Sequence, residues 1–167
     1  MLRLFGLVDR AIGAVLRPVL AAGMAALIAV ITLQIVSRVA FTAVGWTEEV
    51  ARFLLVWLTF LGAVLAWQQH RHIAVGVLVD ALPERAGRIV SGVALAAAIG
   101  FLLALAWIAR DYMALQSFQK SASLRIPMSY VYAVIPVSAL LMAGLALSDL
   151  VRLAATGQRP QPAEPAQ

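Results

Sequence analysis

Four stretches of this chain contain no Asp, Glu, Lys, Arg or His: Pro18–Ser37, Phe53–Gln69, Ile89–Ala109 and Ile126–Ser148. A helix needs roughly 20 apolar residues to cross about 30 Å of hydrocarbon. The first, third and fourth runs meet that length alone. The second is shorter, but Thr47 reads as a helix N-cap, and a helix from Glu48 to Gln69 is about 33 Å long. Of the 167 residues, 63% are hydrophobic and 13% charged. Soluble domains are usually about half apolar and about a quarter charged. The expectation is an all-α membrane protein with four transmembrane helices, near 18–38, 48–69, 89–109 and 126–149, forming one domain over 18–153 and no soluble domain.

The formal net charge is +5, and Lys120 is the only lysine. A nucleic-acid partner would call for basic residues gathered on one face or tail, whereas these flank the apolar runs. The chain has no cysteine, so thiol chemistry is excluded. In residues 1–17, Leu4, Phe5, Val8, Ile12, Val15 and Leu16 follow helical spacing. Arg3, Arg10 and Arg17 recur every seven residues on another face. This predicts a short amphipathic helix along the headgroups, arginines toward anionic membrane lipid, the alternative being a frayed extension of the first span; a cleavable signal is not expected. Residues 154–167 read as a disordered, proline-rich tail. The N-terminal segment, second loop and tail together hold eight Lys and Arg, against five in the first and third loops. That bias places both termini in the cytoplasm.

The charge-free runs that make up the spans hold no acid, base or histidine, and no internal repeat relates the two halves. A carrier acting alone normally needs such groups near the bilayer midplane. An intramembrane enzyme or haem anchor needs an acid pair, a Ser–His arrangement or axial histidines. Only His70 and His72 are present, two residues apart and not on one helical face. No catalytic residue, cofactor or metal site is therefore expected. The spans do carry rows of small residues: Gly92, Ala96, Gly100 and Ala104 in the third, Gly62 and Ala66 in the second, Ala25 and Ala29 in the first, and Ala139 and Ala143 in the fourth. Such rows let helix backbones approach closely in lipid. They suggest a protein that works by packing against another.

Two motifs stand out. "WTEEVARFLLVWLTFLGAVLAWQQHRHIAV" leads in with Trp46, Glu48, Glu49 and Arg52, carries Trp57 mid-helix, and passes Gly62–Ala63 before His72. "RIPMSYVYAVIPVSALLM" holds Pro127, Tyr132 and Pro136. With four spans in this order, the chain resembles the small membrane subunit, DctQ-like, of tripartite ATP-independent periplasmic (TRAP) transporters. One departure is visible: members often carry an acidic residue just after the "HI-x-V" segment, where this chain has Gly76.

The resemblance implies a partner in a large TRAP permease, which would hold the substrate and ion sites. It also implies a periplasmic substrate-binding protein delivering an organic acid such as a C4-dicarboxylate, uptake driven by sodium or protons, and the bacterial inner membrane. The named residues are then partner-contact or structural, and this chain has no substrate site of its own. Glu48 and Glu49 suit a helix N-terminus, and Arg52 lies i+4 from one and i+3 from the other. This collar either fixes helix depth or contacts the docked binding protein. Pro136 should kink the fourth span. The other function classes are a membrane anchor for a redox enzyme and a stand-alone four-helix exporter.

Overall fold

The structure, a computed structural model, describes residues 2–40, 44–69 and 83–156, with side chains from Asp9 onward. It consists of helix α1 (Leu2–Val39), α2 (Gly45–Gln68) and α3 (Glu84–Leu115) with a 3₁₀ turn (Gln116–Phe118). A short helix α4 (Met128–Tyr132) then leads into α5 (Val134–Thr156). Four helices are long and apolar enough to cross a membrane. The expected all-α membrane architecture is therefore what forms.

Two starts differ from the sequence reading. Thr47 is not the cap of α2; Val44 holds that position, and its side chain makes no capping bond. Instead the fully buried Thr47 hydroxyl donates to the Val44 carbonyl at 2.7 Å, and the helix begins at Gly45, three residues earlier. At the N-terminus no separate short helix ends at Arg17. α1 runs unbroken for 38 residues, about 57 Å, through Pro18. The reason is packing: Leu16 is buried in the main apolar cluster and Ile12 lies against it, so this face of the N-terminal stretch meets protein.

The fourth span is broken where Pro136 demands it. Proline has no N–H and its ring crowds the carbonyl four residues earlier, here Tyr132. The helix is interrupted at Ala133, between α4 and α5. Beyond the break, the buried Ser138 hydroxyl donates to the Val134 carbonyl at 2.7 Å.

The helices form an open row, α1–α2–α5–α3. α5 packs on α3 and on α2, while α1 leans on α2 and barely reaches α5. Among the described residues α3 touches neither α1 nor α2. The core sits around α5, where Val134, Ser138, Ala139 and Ala146 are wholly buried with Val64 of α2. In the most apolar window of α5, 44% of residues are buried, against 6% in those of α1 and α2. Three of the four spans therefore have few fully buried residues, and α1 and α3 expose much of their surface.

Contacts between neighbours fix their relative heights. A Cβ at Gly13 would meet the Gln68 amide, and one at Gly23 would meet Leu58, so α1 and α2 run antiparallel in constant register. Tyr112 and Tyr132 rings meet edge-on at 5.1 Å, and Gly92 faces Leu153, which sets α3 against α4 and α5. Following α2 from Glu48 to Gln68 gives about 30 Å, one hydrocarbon thickness. Carried across the register, that layer covers residues 13–33 of α1, several residues nearer the N-terminus than the charge-free run.

Candidate functional site

The two glutamates of the opening motif do different work. Glu48 accepts from Arg52 Nη2 at 2.9 Å on the open rim of α2, with both side chains mostly exposed. A pair of this kind contributes only a few tenths of a kcal/mol. Glu49 does not pair with Arg52. Its Oε1 accepts the Ser123 N–H at 2.7 Å and its Oε2 the Leu124 N–H at 3.0 Å. The carboxylate thus pins the connection between α3 and α4 to the start of α2, beside Gly45, which lies against Ser123.

That connection is itself folded. Ser121 N–H donates to the Ile126 carbonyl and Met128 N–H to the Gln119 carbonyl, each at 2.9 Å, bridging Lys120 and Pro127. The Ser121 hydroxyl accepts from Ile126 N–H at 3.2 Å. Arg125 turns the chain in the left-handed region, φ 54°. Both Glu49 oxygens are engaged by amides, so the collar is a clamp rather than an open ion site. Pro127 begins α4, and Tyr132 ends it against Tyr112.

The other motif residues are divided between the two faces of the row. Trp46 and Trp57 are about two-fifths exposed. Ala63 packs against the core cluster, while a Cβ at Gly62 would meet nothing within 4 Å. His72 lies outside the described residues, as does Gly76. The small-residue rows divide likewise. Ala139 and Ala143 are buried within the row, whereas Ala25, Ala29, Ala96, Gly100 and Ala104 are exposed. α3 meets the core instead through Leu102, Leu105 and Ala106. Its small-residue ridge is therefore uncovered, flanked by the exposed Val93, Phe101 and Trp107. Trp107 also carries the Arg110 guanidinium 5.8 Å from its ring centre. A cleft beside the last turn of α1, lined by Gln34, Ile35, Arg38 and Val39, is bounded by that helix alone.

A latch at the opposite end was not legible in the sequence. Asp9 of α1 forms an ion pair with Arg152 of α5, and the Gln68 amide of α2 donates to the Asp9 carbonyl. Asp9 and Arg152 are 143 residues apart in the chain and belong to neither motif. Asp149, one residue past the fourth charge-free run, is also buried. Only tertiary packing reveals either.

The sequence model of the DctQ component of tripartite ATP-independent periplasmic transporters matches residues 27–156, from mid-α1 to the end of α5. The chain belongs to the DctQ family. Over 143 residues, 80% of the chain, it is 33% identical to the isethionate TRAP transporter permease protein DctMQ of Oleidesulfovibrio alaskensis, 22% of which is matched. A TRAP transporter small permease protein of Haemophilus influenzae is 48% identical over 52 residues, 30% of this chain and 32% of that one. The sialic acid TRAP transporter small permease protein SiaQ of Vibrio cholerae is 38% identical over 64 residues, 38% of this chain and 37% of that one. The chain thus spans about a fifth to two-fifths of these relatives. The DctQ family is a transporter component, not an enzyme, and four apolar helices make this member a multi-pass membrane protein.

Proposed function

We propose that this DctQ-family chain is the small permease subunit of a TRAP transporter, and that it works by packing against a large permease. The uncovered ridge Ala96–Gly100–Ala104 of α3 is the docking face. The open row carries this reading: few residues of α3 are fully buried, and its Ala96, Gly100 and Ala104 are exposed, with open space beside Gly100. The isethionate relative supports it, since there the matched stretch is about a fifth of one longer permease chain. The substrate is an organic acid such as a C4-dicarboxylate, delivered by a periplasmic binding protein and driven by an ion gradient through the large subunit. Both termini lie in the cytoplasm and the chain sits in the inner membrane, as the arginine bias suggests. The clamped connection between α3 and α4 then faces the periplasm, where the exposed Glu48–Arg52 pair is accessible to the binding protein.

Co-expression of the tagged chain with its cognate large permease tests this. The large subunit should co-purify, and uptake of the acid should need both. Recovery of no large membrane partner, or uptake by the large subunit alone, overturns the reading.

A further inference from the structure

Arg10 and Arg17 are exposed on α1, and neither forms an ion pair with another described residue. Seven residues apart, they lie two turns from one another on one face, separated by about 10 Å along the axis. Their heights differ in kind. Gly13 is level with Gln68, where α2 ends, and Arg17 lies one turn further in, about 6 Å inside that level. A guanidinium is costly in hydrocarbon, and long cationic side chains turn toward the nearer interface.

For Arg17 the nearer interface lies back along α1, toward Arg10. Between the two on the same face is Ala14, small and exposed, which leaves the space open. The nearby acid, Asp9, is already held by Arg152. A turn of Arg17 toward the interface brings its guanidinium toward Arg10 over this open place, where neither arginine is paired with a described carboxylate. Beyond Arg17 the same face continues as the exposed apolar Met24, Ile28 and Ile35.

We propose that Arg10 and Arg17 bind the phosphate of an anionic membrane lipid, in the leaflet on the side of the chain termini, with its acyl chain along Met24 and Ile28. The two cations grip the phosphate from above and below. Arginine suits this through its forked donors, matched to phosphate oxygens. The site depends on the unbroken α1, because a helix lying flat on the headgroups would not set the two arginines at different depths.

The full-length chain in phosphatidylcholine nanodiscs, titrated with phosphatidylglycerol and followed by native mass spectrometry of retained lipid, tests the site. Arg17→Gln should weaken phosphatidylglycerol retention roughly fivefold, the equivalent of about 1 kcal/mol per basic residue at a lipid surface. Arg10→Gln should act similarly, and Arg17→Lys should keep part of the effect. Arg88→Gln, at an exposed arginine paired with Glu84 near the same end, should leave retention unchanged. Unchanged retention in Arg17→Gln overturns the proposal. So does an equal loss in Arg88→Gln, which would mean general surface charge, or displacement of the lipid by inorganic phosphate, which would mean a free-anion site.

Discussion

The ion pair between Asp9 and Arg152 gives the most discriminating test of how α1 is held. The side chains retain 21% and 37% of their exposure, respectively, so the pair lies between two well-characterised limits. Exposed pairs are worth about 0.2–1 kcal/mol, and breaking a fully buried pair costs about 3–5 kcal/mol. With the arginine still more than a third exposed, the expected cost of Asp9→Asn is about 1–2 kcal/mol. Arg152→Gln should cost a similar amount. The double variant should cost little more than either, leaving a coupling energy of about 1 kcal/mol. The Gln68 amide binds the Asp9 main-chain oxygen, so that contact survives every variant and does not enter the coupling. The assay is equilibrium unfolding of the purified chain in mixed micelles by SDS titration. Exchanging the charges, Asp9→Arg with Arg152→Asp, should restore most of the stability. A coupling energy below about 0.3 kcal/mol would refute the reasoning, because two additive surface charges behave in that way.

Other outcomes follow from the packing. Ala146→Leu, at a position with no exposure in α5, should destabilise the chain by about 1–3 kcal/mol in the same titration, because the added atoms force α5 from its neighbours. Gly100→Leu, where a Cβ meets nothing, should change stability by less than about 0.5 kcal/mol yet block co-purification of the large permease. Gly23→Val should separate α1 from α2 at Leu58, costing about 1–3 kcal/mol unless that side chain swings aside. Glu49→Ala should free two amides, so hydrogen exchange at Ser123 and Leu124 should quicken while the middle of α2 stays protected. Equal protection in that variant would show that the loop holds itself.

The spans were legible because hydrocarbon imposes a simple rule on every residue of a crossing helix; three charge-free runs meet it alone and the second does so with its charged lead-in. The fourth span's break was legible too, since Pro136 must disturb the turn before it. Depth was less so. The run Pro18–Ser37 placed the boundary at Arg17, whereas α1 continues as helix beyond it and Gly13 packs on Gln68 at the end of α2. Charge marks where a helix would leave lipid if it stood alone, but packing on a neighbour sets how the helices stand against one another.

The roles within the collar divide in the same way. Helical spacing makes Arg52 a partner for either glutamate, and only the position of the Ser123–Leu124 backbone assigns Glu49 to the loop and leaves Glu48 to the arginine. Local spacing cannot report a contact across 74 residues. Nor can it say which small residues face in: Ala139 and Ala143 are buried, while the equally regular Ala96–Gly100–Ala104 is uncovered. The sequence by itself determined four membrane helices, their order and the family motifs, because hydropathy and proline act residue by residue. The tertiary structure decided the open row, the depth of α1 and the outward ridge on α3, because these depend on which helix lies beside which.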